Sequence, residues 1–433
     1  MKIKKIFALL LVISIMTTLF VGCSDSSTEK EDKVTLKIAC FAPDDSKLFN
    51  DKDLQGAFQK EHPNVNIEVE EYKDAAEYNN AMKIRASANQ LPDVMYMKTY
   101  MFSDYKDYLS DLTELESTDN NLFSKDYRID DKVYGLPTVS GKSYVYYWTD
   151  MFEEAGVEVP KTWNEFADVA KTLKDFYSKN DPNFIALGVG AKDEWPTYPY
   201  MEFMPAAESG NGALWNEIAT QDEPFAEGTD ISKTYHKVYD LFTSGVCGKD
   251  PLGIGHDQVS SLFAEKQVGM ITFAPTLLSK LQGEGRDLST LSTFYLPVRD
   301  SEDEEFRNVI QGDNFLSISQ DSANQEIAKE FINFFFSNEW YPEFINAKGD
   351  DSALSTYSKE KDPILKAADE KQPDMVNVCY DGGNKDFNDI VAQTKFNYKK
   401  LGAQFFIEGF DLDEELVRLN EAWKQARTTL NIK

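Results

Sequence analysis

Histidine, cysteine and positive charge are scarce in this sequence of 433 residues. It has 3 histidines and 4 cysteines, and its 45 lysines and arginines against 74 aspartates and glutamates give a net charge of −29. A surface this negative repels phosphate backbones, so nucleic acid is excluded as a partner. The histidines, His62, His236 and His256, do not fall at metal-ligand spacing, which argues against a zinc site or a histidine-based triad. We expect no metal and no cofactor.

Signatures of catalysis are also missing. The sequence contains no GxSxG elbow, no HExxH, no P-loop and no complete GxGxxG. Carboxylate pairs suited to glycoside hydrolysis are inevitable among 74 acids, so they neither support nor exclude a glycosidase. Segment 381–388, DGGNKDFN, resembles a calcium loop in composition, but its glycines are misplaced and a solvated turn fits better. We predict a protein that is not an enzyme and has no catalytic residues.

The long apolar run of this chain lies at its N-terminus. Three lysines within residues 1–5 precede an uncharged, mainly apolar stretch at 6–21, the arrangement of a secretory signal. A membrane-spanning helix is the alternative, but it needs about 20 apolar residues and a second positive flank. Residues 24–33 contain no hydrophobic side chain. We predict a signal peptide at 1–22 and a flexible tether at 23–33.

The residues around the first cysteine suggest an anchor. The segment 20–23, FVGC, resembles the lipobox of bacterial lipoproteins, which implies that Cys23 is acylated and becomes the new N-terminus. Lipidation of Cys23 leaves Cys40, Cys247 and Cys379, an odd number, so at least one stays unpaired. We predict that these three are small buried side chains rather than a redox or metal site.

Patterns of strands and helices alternate along the rest of the chain. Residues 34–40 and 65–69 show the period-two alternation of strands, with helical spacing between them, which predicts a parallel βαβ unit. Thr162 and Glu165 are spaced as in a capping box, which predicts the start of an amphipathic helix. The apolar run at residues 268–273 predicts a buried strand. The alternation indicates an α/β fold, in which ligands bind beyond the carboxyl ends of the strands. That rule selects Phe41, Asp44 and Asp45 after the first strand and Lys98 after the third.

Aromatic residues make up 13% of the sequence, more than a core alone requires. Trp195 and Tyr198 lie in a proline-stiffened segment without helix or strand periodicity, and Trp215 follows shortly after. We expect these three rings to face a ligand. Segment 144–148, YVYYW, is strand-like, so one alternate set of its side chains is expected to meet a cleft, with Tyr144 as the candidate.

Several segments in order resemble the extracellular solute-binding proteins of bacterial ABC transporters, in the family 1 type that captures sugars and oligosaccharides. The segments that carry this resemblance are 57–65 (AFQKEHPNV), 91–94 (LPDV), 131–137 (DKVYGLP), 147–157, 160–165, 262–270 and 328–332.

The resemblance implies a two-lobed periplasmic-binding-protein-like fold of type II, with the ligand in a cleft between α/β lobes. It maps an N-terminal lobe to 34–141 plus 312–349 and a C-terminal lobe to 142–311 plus 350–433. The chain would cross near 139–143 and 310–314. Asp313 and Asn314 then become candidates for hydrogen bonds to sugar hydroxyls, Phe273 replaces a tryptophan that relatives often carry, and Phe396 lies where relatives present another ring.

Sugars have CH-rich faces that pack on rings and hydroxyls that pair with carboxylates and amides. The resemblance therefore implies a monomeric receptor, lipid-anchored at the outer face of the bacterial cytoplasmic membrane, which delivers a carbohydrate to an ABC permease. Contact with the membrane would be through the anchor alone. Two alternatives stay open: a secreted carbohydrate-active enzyme, and a binding protein for another solute such as a peptide.

Overall fold

The structure, a computed structural model, describes residues 33–358 and 360–433. The predicted signal peptide, the predicted acylation site at Cys23 and the predicted tether up to residue 32 therefore lie outside the described residues. Within the described ranges, no helix has both the length and the apolar character needed to cross a bilayer.

Strands and helices alternate through the chain, as the sequence patterns predict. The strands are β1 (Val34–Cys40), β2 (Val65–Glu71), β3 (Val94–Met97), β4 (Leu136–Lys142), β5 (Tyr144–Trp148), β6 (Ile185–Gly188), β7 (Val268–Phe273), β8 (Leu291–Phe294), β9 (Arg307–Ile318), β10 (Asp351–Ser352) and β11 (Val376–Cys379). The α-helices are α1 (Pro43–Asp51), α2 (Leu54–Gln59), α3 (Ala75–Ser87), α4 (Phe102–Tyr105), α5 (Glu116–Asn120), α6 (Thr149–Ala155), α7 (Trp163–Tyr177), α8 (Met204–Ser209), α9 (Leu214–Glu217), α10 (Asp230–Thr243), α11 (His256–Ala264), α12 (Thr276–Gly283), α13 (Gln325–Phe335), α14 (Tyr341–Lys348), α15 (Pro363–Lys371), α16 (Lys385–Thr394), α17 (Tyr398–Gln404) and α18 (Leu412–Leu430).

A mixed sheet forms the first lobe. Its strands run in the order β10-β4-β9-β3-β1-β2, and β11 pairs with the other end of β9. β1 and β2 are parallel, in register from Val34 opposite Val65 to Cys40 opposite Glu71, which confirms the predicted βαβ unit. β3 is parallel to β1, whereas β9 is antiparallel to β3. The carboxyl ends of β1 and β3 therefore lie at the same edge of the sheet.

A smaller sheet forms the second lobe, with the strand order β6-β7-β5-β8. β5 has a neighbour on each side, and all five of its residues are buried. The expectation that alternate residues of 144–148 face a cleft is therefore wrong, because the side chains of both alternate sets are packed in one hydrophobic core. Tyr144 is fully buried, with its ring 5.2 Å from that of Tyr295.

Two separate hydrophobic cores correspond to the two lobes. The first core takes its residues from 36–139 and 315–354, and the second takes its residues from 144–309 and 365–426. The chain thus passes from one core to the other more than once. The lobe boundaries given above stay a prediction.

Two of the connections between the cores lie side by side. β4 and β9 are antiparallel, with Val139 opposite Asp313 and Lys142 opposite Ile310. β4 leads through Ser143 into β5 of the second lobe, while β9 enters the first lobe at its carboxyl end. Asn314 in β9 has a φ of 52°, a left-handed conformation that asparagine tolerates better than most residues. These paired strands form the floor between the lobes.

Candidate ligand-binding cleft

The end of β3 and the middle of β9 bring three of the predicted site residues together between the lobes. Lys98, which directly follows β3, donates hydrogen bonds to Oδ1 and Oδ2 of Asp313 at 2.6 and 2.7 Å and to Oδ1 of Asn314 at 3.0 Å. The side chains of Lys98 and Asp313 are 27% and 29% exposed. This polar floor therefore offers an ammonium and a carboxylate to a solute in the cleft.

A second group of charges lies beneath the polar floor. Asn314 donates to Oδ2 of Asp45 at 3.2 Å, and Asp45 forms an ion pair with Lys348. A carboxylate oxygen of Asp350 is 3.9 Å from Nζ of Lys348. Asp45 is fully buried, so the expectation that it contacts a ligand is wrong: its carboxylate instead anchors Asn314 and Lys348. Lys348 and Asp350 gave no signal in the sequence, because their role depends on packing between distant segments.

These carboxylates ionise differently. Burial favours the neutral form of Asp313, but the charge and hydrogen bonds of Lys98 outweigh burial and hold the pKa of Asp313 below its ordinary value. The negative charge of Asp350 is less well balanced by nearby positive charge. Burial, together with the carboxylates of Asp45 and Asp313, raises the pKa of Asp350 to about 6. At neutral pH the polar floor therefore keeps an ionised Asp313 as a strong acceptor.

Four rings form what we call the aromatic wall, on the second lobe: Trp195, Tyr198, His256 and Phe273. The ring of His256 stacks on Phe273 at 4.2 Å, and Trp195 lies 4.7 Å from His256 and 5.7 Å from Phe273 between centroids. Tyr198 is 6.4 Å from Phe273. Trp195 is 40% exposed, the largest exposed fraction among the described tryptophans. Sequence reasoning found three of these rings and missed His256.

Local backbone chemistry positions this wall. Glu194, immediately before Trp195, has a φ of 59°, and this left-handed residue turns the chain. One residue earlier, Asp193 accepts a hydrogen bond at 2.7 Å from the backbone N–H of His256, at the start of α11. The turn and the helix are thereby tied together. Burial lowers the pKa of His256 to about 4, so its imidazole is neutral at physiological pH and acts as an uncharged ring.

The aromatic wall is joined to the crossing strands that carry the polar floor. The hydroxyls of Ser143 and Tyr198 are hydrogen-bonded at 3.1 Å, which joins the wall to the crossing between β4 and β5. Burial raises the pKa of Tyr198, and the charges of Glu202, Asp350 and Asp313 add to that shift. Tyr198 therefore lies within electrostatic reach of the floor and keeps its proton.

The remaining predicted residues are not part of the polar floor or the aromatic wall, although Phe41 lies against Lys98. Phe41 is buried, with Nζ of Lys98 at 5.4 Å from its ring centroid, so it supports the floor from below. Asp44 is exposed in the first turn of α1. Tyr144 lies in the second core, as described above.

Two other predicted rings lie in the second core. Trp215 is fully buried and donates its indole N–H to the carbonyl oxygen of Glu202 at 2.9 Å, so the expectation that it faces a ligand is wrong. Its ring is 6.1 Å from that of Phe396, which is 4% exposed. The sequence does not show that Trp215 is covered, because tertiary packing decides whether a ring near a loop-like segment is buried.

These observations define a two-lobed α/β protein with an aromatic and polar cleft between its lobes. The chain belongs to the family of bacterial extracellular solute-binding proteins, whose family model matches residues 46–342, more than half of the chain.

Individual relatives agree with this assignment. The chain is 22% identical over 384 residues to the multiple sugar-binding protein of Streptococcus mutans, which covers 84% of this chain and 86% of that protein. Among solved structures, it is similar to the solute-binding protein RafE in complex with raffinose, with a TM-score of 0.72, 20% identity, and coverage of 91% of this chain and 100% of that chain. It is also similar to BlMnBP1, the binding protein of an ABC transporter from Bifidobacterium animalis subsp. lactis, in complex with mannobiose, with a TM-score of 0.70, 16% identity, and coverage of 92% and 95%. These structures share the two-lobed fold with this chain.

Proposed function

We propose that this protein is an exported, lipid-anchored receptor that binds a sugar or oligosaccharide between its lobes and delivers it to an ABC-type permease. The proposed ligand-contacting residues are Lys98, Asp313 and Asn314 on the floor and Trp195, Tyr198 and Phe273 on the wall. The observation that carries this proposal is that the exposed ring of Trp195 belongs to an aromatic wall that Tyr198 and Ser143 join to the strands of the ionised, hydrogen-bonding floor.

A sugar fits this arrangement better than a charged or purely apolar solute. One face of a pyranose presents C–H groups that pack on a ring such as Trp195, while its hydroxyls both donate and accept hydrogen bonds. The Lys98–Asp313 pair already balances its own charge, so an ionic ligand would bring an uncompensated charge into the cleft. A neutral polyol avoids that cost.

The relatives support the same class of ligand. The Streptococcus mutans protein is named for binding multiple sugars, and the two similar structures hold raffinose and mannobiose. The description of BlMnBP1 as part of an ABC transporter supports delivery to a permease. The apolar N-terminal run and the FVGC segment at 20–23 support export and an anchor at Cys23.

Isothermal titration of the full chain, purified in detergent, tests the proposal. The titrants are raffinose, mannobiose and malto-oligosaccharides, with a mixture of short peptides as the competing class. We expect at least one sugar to bind with a Kd in the micromolar range or below. Binding of peptides with no binding of any sugar would contradict the proposal.

A second measurement separates a receptor from a carbohydrate-active enzyme. Each sugar that binds is incubated with the protein overnight and then analysed by chromatography. We expect every sugar to be recovered intact. Release of shorter sugars at a rate proportional to protein concentration would instead assign an enzymatic activity to the cleft.

A further inference from the structure

Five charges, which we call the charge cluster, lie at and beneath the polar floor. They are the ammonium groups of Lys98 and Lys348 and the carboxylates of Asp45, Asp313 and Asp350. Lys98 pairs with Asp313 at 2.6 Å. Lys348 pairs with Asp45, while the nearest oxygen of Asp350 is 3.9 Å from Nζ of Lys348, beyond hydrogen-bond length. The charge cluster therefore has one carboxylate more than its two ammonium groups balance, and Asp350 is that carboxylate.

Asp350 is buried, and its electrostatic neighbours come from both lobes. Those that carry a charge or titrate are Lys348 and Tyr341 of α14, Asp45 of α1, Asp313 of β9, Asp351 of β10, Tyr146 of β5, and Tyr198 of the aromatic wall. Asp351 is only partly buried and has Lys142 within electrostatic reach. The cation among the neighbours of Asp350 is thus Lys348, which is already bonded to Asp45. A buried charge without a partner of its own is costly.

The second lobe contributes to the burial of Asp350. Gly349, which directly precedes Asp350, lies against Ser279 of α12, so that a Cβ at Gly349 would be 3.2 Å from Cβ of Ser279. Helix α12 packs in the second core and α14 in the first. Burial raises the pKa of Tyr146 and of Tyr198 in the second lobe, and the charge of Asp350 adds to both shifts. A rotation that separates the lobes would therefore bring water to Asp350.

A carboxyl group that is buried in one form of a protein and hydrated in another links the change of form to proton binding. Burial outweighs the opposing charge of Lys348 and raises the pKa of Asp350 to about 6 in this structure. A hydrated aspartate has a pKa of about 4. Between these two values the closed form holds a proton that an open form releases. The contribution to closure is therefore absent well above pH 6 and grows as the pH falls through 6.

We propose that closure of the lobes takes up a proton at Asp350, so that this receptor holds its ligand more tightly in mildly acidic surroundings than at neutral pH. The inference rests on the proposed function and adds a regulation of the same cleft. The proton removes the one unbalanced charge of the charge cluster. Asp313 stays ionised, because Lys98 balances it, so the polar floor keeps its acceptor while the cluster becomes neutral.

Calorimetric titration of the full chain in detergent tests this linkage at pH 7.5 and at pH 5.5. The titrants are raffinose, mannobiose and malto-oligosaccharides. At pH 5.5 each titration is repeated in two buffers of different ionisation enthalpy, which gives the number of protons taken up per sugar bound. From a shift between about 4 and about 6, we expect binding to be about fourfold tighter at pH 5.5, with uptake of about 0.7 proton there and almost none at pH 7.5.

Two variants assign the proton. Asp350→Asn is neutral at every pH, so it should bind with the same affinity at both pH values and without proton uptake. Asp44→Asn removes an exposed carboxylate of α1 beside Asp45, and it should keep the fourfold change and the uptake of the wild type. Equal proton uptake by the wild type and Asp350→Asn would show that another group titrates, and the inference would be wrong.

A measurement without sugar separates this inference from the proposed function. Small-angle neutron scattering, with the detergent contrast-matched, compares ligand-free wild type and Asp350→Asn at both pH values. The radius of gyration of the wild type should be smaller at pH 5.5 than at pH 7.5, whereas that of Asp350→Asn should not change. If sugars bind with no pH dependence and no proton uptake, the linkage is wrong and the receptor function stands. If no sugar binds, the proposed function is wrong, and a wild-type radius that does not change with pH would then overturn the linkage as well.

Discussion

The exposed ring of Trp195 allows the affinity from stacking to be worked out from the structure. A tryptophan buries about 150–250 Å² when covered, so the 40% of Trp195 that remains exposed amounts to about 60–100 Å². At about 25 cal/mol per Å², covering this area with a sugar is worth about 1.5–2.5 kcal/mol. Trp195→Ala should therefore weaken sugar binding roughly tenfold to seventyfold.

Calorimetric titration of a sugar that binds the wild type measures this loss, with two control variants beside it. Trp195→Phe keeps a smaller ring and should recover part of the affinity. Phe176→Ala removes a ring of similar exposure, 37%, on α7 outside the cleft, and should leave binding unchanged. Since Trp195 is only partly enclosed, we expect the melting temperature of Trp195→Ala to fall by no more than a few degrees. A folded Trp195→Ala variant with wild-type affinity would refute the reasoning and assign the ring to structure.

Three other perturbations have clear expected outcomes. Burial raises the pKa of Asp350 from 3.8 to about 6, so the ionised carboxylate destabilises the fold above that pH. Asp350→Asn should therefore raise the free energy of unfolding, measured in urea at pH 7.5, by on the order of 1–3 kcal/mol. This gain should disappear as the pH falls from 6 towards 4. An equal gain at every pH would contradict this. Asn388→Ala removes two hydrogen bonds between the lobes. Without ligand, this variant should have a larger radius of gyration in small-angle scattering than the wild type, and addition of a sugar should reverse the increase. Identical scattering profiles for variant and wild type would argue against closure by these contacts. Cys23→Ser should move the protein from the membrane fraction to the soluble fraction on cell fractionation, and complete retention in membranes would exclude the anchor.

Local patterns in the sequence predicted the framework well. The period-two alternation at 34–40 and 65–69 corresponds to the parallel pair β1 and β2, because alternation is decided by which face of a strand is buried. One half of the predicted capping box is confirmed at the N-terminus of α7, where Oγ1 of Thr162 accepts a hydrogen bond from the backbone N–H of Glu165 at 3.3 Å. The reciprocal bond of Glu165 goes to the backbone N–H of Lys161 instead.

The site itself was predictable only where an element boundary reveals it. Lys98 was found because it follows a strand at the edge where ligands bind, and Trp195 because its segment lacks periodicity. His256 was missed, since its neighbours in the aromatic wall come from other parts of the chain and no local pattern marks it. Trp215 was misplaced for the same reason: a loop-like sequence does not show whether tertiary packing covers it.

We expect the paired crossing strands to couple ligand binding to closure of the lobes. Asp313 lies on β9 and is held by Lys98 of the first lobe, while Ser143, which follows β4, is held by Tyr198 of the second lobe. Because β4 and β9 are hydrogen-bonded to each other with Val139 opposite Asp313, a rotation of one lobe about these strands changes the distance between the aromatic wall and the polar floor. A solute that contacts both gains interactions only when that distance is short, and this difference in contacts is the free energy that drives closure. A sugar too short to reach from Trp195 to Asp313 therefore binds one side and leaves the equilibrium between open and closed forms nearly unchanged.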